Sequence, residues 1–213
     1  MPHTEVIVIR HGETFWNLEG RWQGHYNSPL TEKGLMQAEA VARRFGTTRF
    51  AALYSSDLDR AIQTAKEIAD KVEHEIIIEE RLRERSLGIF EGLTMIEIEE
   101  KYPEDALKYK SFDPEYIIPR GESLIQFSKR VTDCFRDLTL KHIGERIVII
   151  THGGVLNQIF RFVVGLPLYA PRNYTLLNSS VNTFLYNFDK KTWLLKTWGD
   201  ISHIIESQVL DDV

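Results

Sequence analysis

The chain predicts an α/β fold with a mostly parallel central sheet, and three features predict it. Short apolar runs rich in β-branched residues, at positions 6–9 and through the middle of Arg146–Thr151, read as strands buried on both faces. Segments with a 3.6-residue apolar period lie between the strand candidates, as crossover helices require. Two strands run straight into glycine turns, Arg10-His11-Gly12 and His152-Gly153-Gly154. In open α/β sheets the carboxyl ends of such strands are where ligands bind.

The elements follow in order. Residues 6–9 make the first strand, and residues 15–26, crowded with aromatics and glycine, are too irregular for an element. Leu30-Thr31-Glu32-Lys33-Gly34-Leu35 opens a helix: Thr31 is the N-cap, and Leu30 with Leu35 has hydrophobic-staple spacing. Leu35, Ala38, Ala42 and Phe45 continue one face to a stop at Gly46. Residues 51–55 form a second strand, and Ser56-Asp57 caps a helix striped by Leu58, Ala61, Ile62, Ala65, Ile68 and Ala69. Ile76–Ile78 is a third strand. Thr94 with Glu97 and Ser123 with Gln126 both have capping-box spacing. The second pair opens a long helix with Leu124, Phe127, Val131, Cys134, Phe135 and Leu138 inward.

Residues 102–121 carry Pro103, Pro114 and Pro119 and read as a lid-like excursion over the sheet rather than a linker. Arg146–Thr151 is the fourth strand, and the helix after it runs to about Val164, where Gly165 and Pro167 end it. Residues 182–188 and 192–198 pair as a closing hairpin. With no repeat and no break in composition, residues 1–213 are expected to form a single domain, with the lid-like insertion around 94–121.

Composition narrows the function. The 213 residues carry a net charge of −5, with 43% hydrophobic and 27% charged residues. That is ordinary for a soluble globular protein and disfavours a nucleic-acid surface, which needs a basic face. One cysteine, Cys134, cannot form an intrachain disulfide and lies in the apolar register of a helix. No Cys-x-x-C or His-Glu-x-x-His spacing offers a metal site. The apolar run at 6–9 is too short for a signal peptide and no run spans a membrane, so a cytoplasmic location is expected, with neither nucleic acid nor membrane as partner. A homodimer is left open.

Chemistry enters through coincidence. Residues 6–9 lead to Arg10-His11, the fourth strand leads to His152, and the second ends in Ser55-Ser56 with Arg60 on the first turn of the following helix. In a parallel sheet these ends share one edge. Two arginines, two histidines and glycine-rich backbone would converge there, and that charge requires an anion. A phosphoryl group fits best, since planar guanidinium forks bind its oxygens bidentately.

Arg10-His11-Gly12-Glu13-Thr14 with Asn17 resembles the signature of the histidine phosphatase superfamily, which includes the cofactor-dependent phosphoglycerate mutases. The likeness continues through Tyr54-Ser55-Ser56-Asp57-Leu58-Asp59-Arg60-Ala61, Leu82-Arg83-Glu84, Gly88-Ile89-Phe90-Glu91-Gly92, Gly121-Glu122-Ser123-Leu124 and Thr151-His152-Gly153-Gly154. The resemblance implies a three-layer α/β/α sandwich and a phosphohistidine mechanism without metal. It makes His11 the nucleophile, with Arg10, Arg60 and His152 stabilising charge on the phosphoryl oxygens. Glu84 becomes the acid that protonates the leaving oxygen and then the base that activates water. Asn17, Gln23, Gly24 and Gly153 match positions that contact phosphate or substrate.

Within the family, hydrolysis is favoured over mutase chemistry. Mutases resemble one another in a longer capping insertion with an adjacent arginine pair and in a Gly-Asn after the second histidine. Here the excursion is short, offers Arg120 and Lys110 as its candidates for a substrate carboxylate, and Gly153-Gly154 follows His152. The expected substrate is a small phosphorylated metabolite, a phosphoglycerate- or phosphoserine-like acid, with no cofactor. The alternative is a phosphoglycerate mutase, which would need 2,3-bisphosphoglycerate. A binding module without catalysis is a third reading, and it conflicts with the presence of both His11 and Glu84.

Overall fold

The computed structural model describes residues 3–206. The chain begins with β1 (His3–Arg10) and a one-turn helix α1 (Phe15–Leu18), then α2 (Glu32–Phe45), β2 (Ala52–Ser55), α3 (Asp59–Val72) and β3 (Ile76–Ile78). Next come two 3₁₀ turns at Glu80–Leu82 and Gly88–Phe90, then α4 (Met95–Lys101), α5 (Pro103–Lys110) and α6 (Leu124–Lys141). β4 (Arg146–Thr151), α7 (Gly153–Val164), β5 (Val181–Asn187), β6 (Thr192–Asp200) and α8 (Ser202–Glu206) complete the fold.

Six strands form one sheet in the order β3-β2-β4-β1-β5-β6. The first four are mutually parallel, whereas β5 and β6 run antiparallel as the expected hairpin. Alternation along the central strands divides the core between two helical layers. Val6, Val8, Ile147 and Ile149 pack with Phe127, Val131, Phe135 and Leu156 from α6 and α7. Ile7, Ile9, Val148 and Ile150 pack with Val41, Phe45, Ala65 and Ile68 from α2 and α3. Strands buried on both faces are why these segments are apolar without interruption. The result is the three-layer α/β/α sandwich.

Several local expectations change. Residues 15–18 do form a helical turn, because Thr14 and Asn17 make a reciprocal capping box. Leu35 is 43% exposed rather than part of the buried face, and α2 turns Gly34, Gln37, Ala38 and Val41 inward. The reason is close approach. A Cβ on Gly12 would lie 2.4 Å from the Gly34 carbonyl oxygen, and one on Gly34 would lie 2.0 Å from that of Glu13. Helix α3 is preceded by Leu58, with no side-chain cap; Ser56 Oγ accepts from the Leu58 amide outside the helix.

The 94–121 excursion is more ordered than its prolines suggest, since Pro103 starts α5 at a position where its missing N–H costs nothing. Its Ile98, Ala106 and Ile118 pack with Phe90 of the second 3₁₀ turn in a small cluster separate from the two sheet cores. Among the described residues no helix is long and apolar enough to cross a membrane.

Candidate active site

Adjacent parallel strands place the two histidines. Arg10 on β1 pairs with Thr151 on β4, and the His11 amide donates to the Thr151 carbonyl at 2.9 Å. The next side chains, His11 and His152, therefore emerge together, with ring centroids 5.2 Å apart. The chain after α7 then locks this edge. The Ser179 amide donates to the Arg10 carbonyl at 3.0 Å, and Asn178 Nδ2 donates to the His11 carbonyl at 2.9 Å.

His11 is 3% exposed and its Nδ1 lies 2.7 Å from the Gly12 carbonyl oxygen. A carbonyl only accepts, so Nδ1 carries the hydrogen and Nε2 keeps the lone pair. Burial, reinforced by Arg60 and Arg10, holds the His11 pKa well below the usual histidine value. Burial and the same arginines do so for His152, whose Nε2 is 2.8 Å from Ser56 Oγ. Both rings are neutral near pH 7.

Arg60 is 1% exposed on the first turn of α3. Its Nη1 and Nη2 donate to the Tyr26 and Gly24 carbonyls, each at 2.8 Å. Burial lowers its pKa to about 10, which leaves it charged. Arg10 donates to the Leu176 carbonyl, and a side chain on Gly153 would press on it, since a Cβ there would sit 3.3 Å from Arg10 Nε.

Glu84 comes from the loop after β3. Arg130 on α6 gathers that loop by donating to the carbonyls of Arg81, Arg83 and Glu84, while Thr151 Oγ1 donates to Leu82. The Glu84 carboxylate pairs with neither neighbouring arginine. Arg83 is held by Asp57, and Arg85 donates to the Glu122 carbonyl. Instead Glu84 accepts the backbone amides of Arg85 and Gly154, both at 2.8 Å. Gly154 is in the first turn of α7, where amides lack helical partners.

These residues surround a cavity of about 410 Å³. Arg10, His11, Asn17, Gln23, Gly24, Arg60, Glu84 and Gly153 all line it, and His152 backs it through His11. Asn17 spends its Oδ1 on Thr14, so its donor Nδ2 is what it can offer a ligand. Gln23 is held to Thr14 Oγ1 by its own Nε2 at 2.8 Å. Glu84 is the one carboxylate in a lining that includes four arginines. A strongly cationic pocket of this kind is suited to a phosphoryl group.

Other assignments move. Arg120 does not line the cavity, and Lys110 is paired with Glu99 at 2.6 Å, so neither lid cation reaches the site. Trp22 packs with Phe90 and Tyr109. The Asp57-Leu58-Asp59 run just beyond β2 supplies no nucleophile: Asp57 is bound by Arg83, and neither aspartate faces the cavity. Sequence reasoning missed Arg21, Asn157 and Arg172, which line the cavity, and His25, whose Nε2 is 2.9 Å from the Glu84 carbonyl. No group of three or more histidine, cysteine or acidic side chains able to hold a metal occurs among the described residues.

Fold and site together define an α/β phosphoryl-transfer enzyme with histidine as its nucleophilic candidate. Residues 6–201 match the sequence profile of the histidine phosphatase superfamily (branch 1), and the chain belongs to that family. It is 42% identical over 204 residues to a metal-independent phosphoserine phosphatase of Arabidopsis thaliana, covering 94% of this chain and 83% of the relative. It is 39% identical over 213 residues to phosphoglycerate mutase-like protein 4 of the same plant, covering 99% and 91%. Among solved structures, YhfR of Bacillus stearothermophilus superposes with a TM-score of 0.87 at 33% identity, over 94% of this chain and 99% of that one.

Proposed function

We propose that the protein is a phosphatase that hydrolyses small phosphomonoesters, phosphoserine- or phosphoglycerate-like acids among them, through a phosphohistidine at His11. The observation that carries this reading is the His11 ring: neutral by burial, its Nδ1 anchored to Gly12, and its Nε2 left as the nucleophile in an arginine-lined cavity. Nε2 attacks phosphorus in line while Arg10, Arg60 and His152 offset charge on the equatorial oxygens. Asn17, Gln23, Gly24 and Gly153 shape the phosphate's surroundings. Glu84 gives a proton to the leaving alcohol oxygen, then takes one from the water that attacks phosphohistidine and releases phosphate. No resident cofactor or metal is part of this reading, which places the enzyme in the cytoplasm with a small metabolite as its partner and the 94–121 insertion as its lid.

The phosphoglycerate mutase-like relative supports a second reading, transfer between glycerate hydroxyls primed by 2,3-bisphosphoglycerate. Radiolabelled phosphoserine should leave an acid-labile, base-stable label on the wild-type protein and release inorganic phosphate, with no label on His11→Ala. The same assay with labelled 3-phosphoglycerate separates the readings. Label appearing in 2-phosphoglycerate rather than in phosphate would overturn the hydrolase in favour of the mutase.

A further inference from the structure

A second cavity of about 620 Å³ adjoins the first and shares Asn157 and Arg172 with it. Helix α7 is the common wall. Gly153, Gly154 and Asn157 line the phosphate cavity, and Asn157, Gln158 and Arg161 line the second. At 1.5 Å per residue, positions 154 to 161 span about 10 Å along the helix. The first cavity is already of ligand size, so a ligand confined to it leaves the second empty.

The second cavity differs in chemistry. Tyr109, Phe112, Tyr116, Leu168 and Tyr169 give it a larger apolar and aromatic share than the first cavity, beside the charged Arg85, Asp113, Arg161 and Arg172. Phe112 and Tyr169 line it while remaining 75% and 74% exposed, and Phe112 holds a left-handed backbone (φ 57°) rare for a bulky residue. Uncovered aromatic rings at a cavity mouth are contact surface awaiting a partner. Tyr116 donates its hydroxyl to Asp105 at 2.7 Å, so its ring is what it presents. Gln158, 3% exposed, keeps its Oε1 without a hydrogen-bond partner among the described residues, an acceptor suited to a ligand N–H. The cations divide by duty. Arg85 is committed to the Glu122 carbonyl and Arg161 to the Pro167 and Ala170 carbonyls, whereas Arg172 stands exposed where the cavities meet.

We propose that the second cavity receives the leaving group, and that the preferred substrates are phosphomonoesters of acids larger than serine or glycerate. Their carboxylate meets Arg172, and an aromatic or apolar extension lies along α7 against Phe112 and Tyr169. This rests on the phosphatase reading above and names its substrate class.

The test compares O-phosphoserine with N-benzoyl-O-phosphoserine, which keeps the scissile bond and carboxylate and adds an amide and a ring. Wild-type enzyme should prefer the benzoyl ester in kcat/KM by roughly tenfold or more, the order expected for burying a ring. Ala170→Trp, which fills the cavity, should abolish that ratio. Tyr169→Ala, at an exposed position where folding is not at stake, should lower it at least about threefold. N-benzoylserine should also inhibit competitively at lower concentration than serine. Equal rates for the two esters, or a ratio untouched by both variants, would overturn the leaving-group pocket and leave the phosphatase reading standing. If neither ester releases phosphate, the phosphatase reading itself fails.

Discussion

The carboxylate of Glu84 rests on the amide of Gly154, Oε2 to nitrogen 2.8 Å, at the open end of α7. The absence of a side chain at position 154 is what allows this contact. A Cβ there would lie 2.0 Å from Glu84 Oε1. Gly154→Ala should therefore push the carboxylate off both its amide donors. Turnover of phosphoserine should fall about 100-fold, the lower end of what a misplaced general acid costs, with KM little changed. An unchanged kcat would mean that Glu84 tolerates displacement and is not the proton donor.

Glu84→Gln keeps the shape and loses the proton. With p-nitrophenyl phosphate, whose leaving group needs little protonation, the first half-reaction should survive and the second should stall. Stopped-flow traces should show one equivalent of p-nitrophenolate in a burst, followed by turnover at least about 100-fold slower than wild type. With phosphoserine no burst should appear. Equal slowing of both phases with both esters would remove Glu84 from acid–base duty.

Much of this site was legible because its parts are strand ends. Arg10, His11 and His152 follow apolar runs that can only be buried strands, and parallel pairing of β1 with β4 brings them together. What stayed hidden depends on approach between segments distant in sequence. Nothing local marks Asn178 and Ser179 as the clamp on the Arg10–His11 backbone, because they act through backbone carbonyls about 167 positions earlier. Arg172 lies in a proline-bearing stretch with no periodicity to place it. Lys110 and Arg120 looked like lid cations for the opposite reason: charge is visible in a sequence, whereas the Glu99 partner of Lys110 is not. Leu35 misled because helical spacing alone fails to show that two glycines have brought α2 against the nucleophile loop.

That glycine contact makes a stability prediction with a functional echo. The clash at Gly34→Ala is with the Glu13 carbonyl oxygen, backbone rather than a side chain that could rotate away. Relief requires α2 to back off from the loop that follows His11. Urea unfolding should show a loss of roughly 1–3 kcal/mol, the usual range for overpacking. Gly20→Ala is the control: a Cβ there meets nothing within 4 Å, although its positive φ adds modest backbone strain. Similar kcat losses in the two variants would separate the Gly12–Gly34 contact from positioning of His11.

The buried histidines set the response to acid. Burial, with the nearby arginines, holds His11 and His152 well below the usual value, and burial beside Arg44 lowers His203 to about 4. Each is neutral in the fold and protonates near pH 6.5 once unfolded. The unfolded chain therefore binds more protons on the acid side, and stability present above pH 6.5 is lost as pH falls toward the folded values. Between pH 6.5 and about 4 His203 contributes a slope approaching about 1.4 kcal/mol per pH unit, and His11 and His152 add to it in the same direction. His203 lies outside the cavity and can be replaced without removing a residue that lines it. Its Nε2 meets the Ser179 carbonyl at 3.0 Å and its Nδ1 lies 3.2 Å from Arg44. His203→Gln should flatten the pH dependence of unfolding free energy by about one proton across that window. Ring resonances of His11 and His152 should meanwhile show no protonation shift from pH 8 to 5.5. A histidine titrating near 6.5 at position 11 would mean that the ring is charged at working pH and unavailable as a nucleophile.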